Sequence, residues 1–226
     1  MKILGIDTTT RFLSIGIFDD GRVLEYNLEL FRLQSSFLLP TIKRILSVLK
    51  WGAQDLDYLA CGLGPGSFTG IRLGLSTVKG LAFGLNKPVI GVSSLDIIAL
   101  NAQGQRFNSV YPVLDAKRGL IFCSSYKIKA DNLSREMPYM LLEPGELIKK
   151  INPDSAVLGD ALNIYKTEFV NCPRHPFIMD KDYWYPAGRN IIKLALEKIK
   201  RKEQSNCFDI EPIYLYPDDC QVKPKL

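Results

Sequence analysis

The stretch CGLGPGSFTGIRLG, residues 61–74, crowds glycines around a serine and a threonine between an apolar lead-in and an amphipathic run. A phosphate-binding loop uses such residues, because glycine lets backbone N–H groups come close to phosphate oxygens. The spacing argues otherwise. A Walker loop needs G-x-x-x-x-G-K-[ST], yet Gly64 is followed five residues on by Thr69, and Gly66 by Ile71. The dinucleotide pattern G-x-G-x-x-G fails too, with Ser67 or Thr69 at its last glycine. A different use follows: Gly64, Pro65 and Gly66 turn the chain out of a strand, and Ser67 or Thr69 caps the next helix. Inside that helix Gly70, Gly74, Thr77, Gly80 and Gly84 fall close to one stripe. An interior glycine costs about 1 kcal/mol against alanine, so the stripe is expected to serve close approach of another helix.

Other reactive groups are sparse. His175, between Arg174 and Pro176, is the single histidine, so no Ser–His–Asp set can be assembled without it, and no His- or carboxylate-rich run has metal-ligand spacing. The cysteines, Cys61, Cys123, Cys172, Cys207 and Cys220, are odd in number and form no C-x-x-C pair, which argues against a disulfide framework or a cysteine zinc site.

These residues must be held by an ordinary globular chain. Its 226 residues are 46% hydrophobic and 23% charged, with a formal net charge of +5, compatible with an RNA or acidic partner but no more than mild. MKILGIDTTT reaches Asp7 after a few apolar residues, without a signal-peptide core, and no apolar run approaches the roughly 20 residues of a membrane span. A cytoplasmic protein with no membrane partner is expected.

Three strands open the chain: KILGID (2–7), LSIGIFD (13–19) and RVLEYNLEL (22–30), the last two joined by a DDG turn. SSFLLPTIKRILSVLK (35–50) predicts a helix capped by Ser35 or Ser36, with Pro40 near its first turn and Leu39, Ile42, Leu46 and Leu49 at helical spacing. Phe37, Leu38, Ile45 and Val48 widen its apolar face enough to require deep burial or a partner. Strand 56–64, helix 69–84, strand 87–92 and helix 93–103 follow. The second half restarts similarly: SVYPVLDAKRGLIFCSSYKI (109–128) places Asp115 as Asp7 is placed, a weak internal repeat. Helix 143–151, strand 155–160, a helix from about 161 and helix 187–202 come next. The tail DIEPIYLYPDDCQVKPKL is expected to cross the surface as an ordered segment.

The order ILGIDTTT, LPTIKRIL, GLGPGSFTGIRLGLSTVKGLAFGL, PVIGVSSLD, VLDAKRG and EPIYLYP resembles the TsaB (YeaZ) family from end to end, closely over about the first 125 residues. The resemblance implies an actin/Hsp70/sugar-kinase-like (ASKHA) α/β fold of two related lobes, each a mixed sheet flanked by helices. The lobes are expected at 1–104 and 105–226. It also implies a part in making threonylcarbamoyladenosine at the tRNA adenosine beside the anticodon. In that family the protein is a non-catalytic partner of TsaD, which carries the active site; the ATPase TsaE joins them, tRNA is met through the complex, and a homodimer can replace the heterodimer in isolation. ATP would be used by the complex, with no cofactor required by this subunit.

Carried over, the docking helices are 35–49 and 68–84. Leu39, Ile42 and Leu46 are the expected contacts from the first, and Ser67, Phe68, Gly70, Ile71, Gly74, Leu75 and Val78 from the second. Gln34 and Ser35 stand where many members have a histidine–threonine pair, and Tyr216 where an arginine is common. Asp7, Thr8, Thr9 and Thr10 occupy the place of the fold's first phosphate loop. The second half offers Asp115-Ala116-Lys117-Arg118 where Asp-Gly-Gly is expected, and the adenosine-side glycine pair is reduced to Gly159-Asp160. Two functions are thereby set against each other: a scaffold that docks TsaD, and an autonomous nucleotide-binding ATPase or kinase using Asp7.

Overall fold

A computed structural model describes residues 1–30, 33–129 and 132–217. Cys220 and the rest of 218–226 lie outside the described residues. The chain runs twice through one unit. β1 (Lys2–Asp7), β2 (Phe12–Asp19), β3 (Arg22–Glu29), α1 (Gln34–Val48), β4 (Tyr58–Gly62), α2 (Phe68–Leu85), β5 (Val89–Val92) and α3 (Ser94–Ala99) make the first copy. The second is β6 (Ser109–Lys117), β7 (Leu120–Lys129), β8 (Asn132–Leu142), α4 (Pro144–Ile148), β9 (Ser155–Leu158), α5 (Leu162–Val170), β10 (Phe177–Ile178) and α6 (Gly188–Lys200). The sheet orders match, β3-β2-β1-β4-β5 and β8-β7-β6-β9-β10. In each, an antiparallel meander meets parallel strands at β1–β4 and β6–β9. The repeat that Asp7 and Asp115 hint at is therefore complete.

Local sequence explains the elements. Asp20 and Gly21 both take positive φ, the two-residue turn that suits the twist of β2 and β3. Ser67 caps α2, its Oγ accepting from the Gly70 N–H at 3.2 Å. α1 differs from expectation: it begins at Gln34, with Leu33 at the cap and no side-chain cap bond, so neither Ser35 nor Ser36 caps it. Pro40 accordingly lies inside the helix, past its first turn. β8 was not expected at all. It is an edge strand, where Pro138 and the charged pair Arg135-Glu136 are tolerated.

The lobes are interleaved. α1 and α2 cover one face of the first sheet, through Leu38, Ile42, Leu75 and Val78. Its other face is covered by α6, whose Ile191, Ile192 and Ala195 meet Ile3, Ala60 and Ile90. Conversely α3 gives Leu95, Ile98 and Ala99 to the second core, with Val110, Tyr126 and Phe169. The last helix of each copy thus packs on the other copy's sheet. Asn190 locks the crossing, its Nδ2 donating to Asn101 Oδ1 (2.7 Å) and the Ile97 carbonyl (3.0 Å). The tail also returns to the first lobe: Ser205 bridges Val89, Ile210 enters the first core, and the Ile213 N–H donates to the Leu63 carbonyl. The strands of the first sheet end at Val92 and those of the second begin at Ser109, while α3, α6 and the tail cross from one to the other.

Candidate functional site

A cleft of about 1200 Å³ lies between the lobes. Thr9, Thr10 and Arg11 line it from the first lobe, Asp115, Lys117 and Asp160 from the second, and Tyr214 and Tyr216 from the tail. Tyr216 spans to the second lobe, its hydroxyl donating to the Ala116 carbonyl at 2.6 Å and its ring meeting Phe122 edge-on.

The expected phosphate loop is turned in on itself. Asp7 is fully buried at the end of β1. Its Oδ1 accepts from the Thr9 N–H (2.8 Å) and lies 2.7 Å from Thr9 Oγ1, and its Oδ2 accepts from Ser94 Oγ (2.7 Å). Burial pushes the Asp7 carboxyl above its usual range, against those bonds. Burial and the Asp7 charge likewise push the neighbouring Cys61 thiol up, away from thiolate reactivity. Thr8 Oγ1 donates to the Gly70 carbonyl (2.6 Å), Thr10 Oγ1 accepts from the Phe12 N–H (3.2 Å), and the Ser67 N–H donates to the Thr9 carbonyl (2.7 Å). Gln34 closes the ring, its Nε2 donating to the Thr10 and Phe12 carbonyls. Thr9 and Thr10 reach the cleft lining, whereas Asp7 and Thr8 do not.

The glycines of 61–74 make this closure possible. A Cβ on Gly66 would press on the backbone of Thr9, one on Gly70 would run into the Thr8 carbonyl, and one on Gly74 would meet Thr8 Oγ1. Gly70 and Gly74 thus serve contact with the 7–10 loop and not with another helix. Gly80 and Gly84 are different: a Cβ on either meets nothing within 4 Å.

The opposite wall is built around the β6–β7 turn. Lys117 and Arg118 take positive φ in the β6–β7 turn, and Asp115 holds that turn by accepting from the Lys117 N–H (2.8 Å) and pairing with its ammonium. Asp160 Oδ1 accepts from the Asp115 N–H (2.9 Å). Burial, with the Asp115 charge adding, raises the Asp160 carboxyl to about 6 against the pull of Lys117 and Arg11. On one side the threonine hydroxyls are spent on internal bonds, and on the other Lys117 and Arg118 stand in the turn, across the cleft from Arg11. Among the described residues no group of three His, Cys, Asp or Glu side chains is placed to hold a metal ion.

The surface of α1 and α2 has its own character. Of the ten expected partner contacts, Ile42, Gly70, Ile71, Gly74, Leu75 and Val78 are buried inside the lobe: Ile42, Leu75 and Val78 lie in the core under the sheet, and Gly70 and Gly74 against the 7–10 loop. Leu39 (55%) and Phe68 (54%) are exposed, Leu46 is half-buried, and Ser67 is exposed but engaged as the cap. The apolar surface presented to solvent adds residues outside that set: Phe37 (42%), Phe83 (69%) and, on the tail, Phe208, whose ring sits 5.9 Å edge-on from Phe83. Phe37 was visible in the sequence as the widened side of the first helix, whereas nothing near Phe208 signalled that the tail would lie along α2. Arg72 stacks over Phe68 at 3.8 Å, and its Nε reaches the Tyr214 hydroxyl at 3.3 Å.

Comparison with known proteins agrees with this architecture. The family model described as "TsaD: tRNA N6-adenosine threonylcarbamoyltransferase" matches residues 31–198. The Bacillus subtilis tRNA threonylcarbamoyladenosine biosynthesis protein TsaB is 32% identical over 74% of each chain. The Escherichia coli protein of the same name is 27% identical over 95% of this chain and 94% of its own. Among solved structures, YeaZ from Pseudomonas aeruginosa superposes with a TM-score of 0.84 at 27% identity, covering 95% of this chain and 99% of that one. With its doubled, helix-flanked mixed sheets of actin/Hsp70/sugar-kinase-like design, this chain belongs to the TsaB (YeaZ) family.

Proposed function

We propose that this protein is a non-catalytic subunit that pairs with a TsaD homologue, with TsaE joining, in threonylcarbamoyl transfer to the tRNA adenosine beside the anticodon. The observation that carries the proposal is the apolar surface that α1 and α2 leave to solvent: Phe37 and Leu39 on α1, and on α2 Phe68 and Phe83, the latter beside the uncovered Gly80 and Gly84. Large exposed aromatics beside glycine-smooth helix surface suit docking of a partner's helices. The inward-bonded Asp7–Thr10 loop supports a subunit that supplies surface and not chemistry. ATP is then consumed elsewhere in the complex, and tRNA is met through it.

The test is reconstituted tRNA modification with this chain and the TsaD and TsaE homologues of the same organism, paired with co-elution of this chain and TsaD. Phe83→Asp and Leu39→Asp, at exposed positions, are expected to weaken the complex at least about tenfold and to reduce modification in step, with Tm unchanged. A charge at Leu75 would be a poor test, because it would break the lobe's own core. Asp7→Asn, which keeps the shape of the loop, is expected to leave modification intact. Full modification by the Asp variants would refute docking. Loss of modification in Asp7→Asn with the complex intact would favour the nucleotide-dependent alternative.

A further inference from the structure

The sheets of the two lobes end in four edge strands, and three of them are guarded. β5 is bridged by the tail, Val89 and Ser205 exchanging N–H···O bonds of 2.8 and 2.9 Å. β10 has only two residues, and β8 carries Pro138 and meets β7 across register shifts. β3 has none of these devices. Its eight residues pair with β2 in one unbroken register, it contains no proline, and among the described residues nothing pairs with its outer edge. Its two carboxylates are turned to the chain's own arginines, Glu25 to Arg189 at 2.6 Å and Glu29 to Arg11 at 2.9 Å. A long, regular edge left this way is a template for another strand.

The side chains of that edge select what can pair with it. Leu24, Tyr26 and Leu28 stand opposite Ile17, Ile15 and Leu13 of β2 and carry that apolar row outward past the core. Leu24 (46%) and Tyr26 (42%) are exposed where the row ends. A twofold axis perpendicular to the sheet would set β3 antiparallel to the β3 of a second copy, each side chain keeping its own face. Residues can then stand opposite only residues an even number of positions away. The two such registers that overlap most of the strand centre on Glu25 and on Tyr26. The first sets Glu25 against Glu25, a destabilising like-charge pair. The second sets Tyr26 against Tyr26, flanks it on both sides with Leu24 against Leu28, and puts Glu25 against the neutral Asn27. The apolar rows of two copies then meet as one layer across a continuous sheet.

We infer that the β3 edge is an isologous pairing surface for a second copy of this chain, in the register centred on Tyr26. Its occupant is another copy and not an arbitrary extended segment, because the strand's own sequence supplies the matching apolar row and the one long register free of opposed carboxylates. This edge is separate from the exposed surface of α1 and α2, and the pairing does not depend on the docking proposed above.

The test is cysteine cross-linking, paired with sedimentation of the full chain. In a Cys220→Ser background the remaining cysteines are buried. Tyr26→Cys then places the new thiols of two copies directly opposite, within disulfide reach, whereas those of Val23→Cys would lie roughly 20 Å apart. Under diamide, Tyr26→Cys is expected to form a covalent dimer at least about tenfold faster than Val23→Cys. Sedimentation is run on Phe83→Asp, so that association through α1 and α2 is suppressed. Its dimer Kd is expected to rise at least about tenfold when Tyr26→Lys is added, because like charges then face each other, with unchanged Tm. Equal cross-linking at the two positions, a Kd that Tyr26→Lys leaves unchanged, or a Phe83→Asp chain that is monomeric at every concentration overturns the inference. Each of these outcomes leaves the docking of a TsaD homologue untouched.

Discussion

Two glycines ten residues apart on α2 are expected to respond to the same substitution with opposite signs. Replacing Gly80 by alanine adds a methyl group where nothing lies within 4 Å, in a helix interior. The gain is the helix propensity difference, about 1 kcal/mol, or a Tm increase of about 2–4 °C for a chain of this size. Gly70→Ala collects at most the same gain, but its Cβ runs into the carbonyl of Thr8, a backbone atom that cannot rotate away. Shifting the loop costs about 1–3 kcal/mol in overpacking, and losing the Thr8 hydroxyl bond to Gly70 about 1 kcal/mol more. The net expectation is destabilisation by about 1–3 kcal/mol. Urea denaturation followed by far-UV circular dichroism reads both, and the double variant should be additive because the sites share no neighbours. If Gly70→Ala were as stable as Gly80→Ala, the close packing of α2 on the 7–10 loop would be wrong. On the docking proposed above, Gly80→Ala has a second readout: a more stable chain that nonetheless binds the TsaD homologue more weakly.

Asp160 should make stability depend on pH. Its folded value of about 6 lies above the ordinary 3.8, so the folded state holds the proton more tightly. The contribution is full below about pH 4 and is lost as pH rises through about 6, at most about 3 kcal/mol in all. Asp160→Asn, whose carbonyl oxygen can still accept from the Asp115 N–H, is therefore expected to exceed the wild type in urea midpoint at pH 7 and to match it near pH 4. An unchanging gap across that range would refute the assignment. Gln34→Ala removes both donors to the Thr10 and Phe12 carbonyls. A loss of about 1–3 kcal/mol is expected by thermal melting, with Gln34→Glu no better because a carboxylate cannot donate.

Much of the fold was legible because its signals are local. The DDG turn, the Ser67 cap and the apolar periods of both long helices are read within a few residues of chain. The failures were those where tertiary position overrides local pattern. β8 carries a proline and adjacent charges because it lies at a sheet edge, and Pro40 sits deeper in α1 than any cap signal suggested because Gln34 is drawn into bonds with β2 and the 7–10 loop. The site was legible in part. Apolar residues on α1 and α2 are plain in the sequence, but which of them turn inward depends on where the sheet lies, so that Leu75 and Val78 face the core and Phe83 the solvent. The glycine stripe misled for the same reason. Its members look alike in sequence, yet Gly70 and Gly74 touch a loop that is distant in the chain, and Gly80 and Gly84 touch nothing.

The exchange of last helices between the two copies bears on how the protein is made. One face of the first sheet, with Ile3, Ala60 and Ile90, is closed by α6, synthesised after residue 187, with Ile97 of α3 joining the same cluster. At about 5–20 residues per second, a ribosome leaves that apolar face uncovered for roughly five seconds or more after β5 has been made. The amino-terminal half is therefore not a unit that can mature early, and a fragment ending near residue 104 should be sticky in the cell. Completion of the first lobe and completion of the whole chain become one event, so that a prematurely terminated product would present the quality-control machinery with an open sheet and not with a folded half.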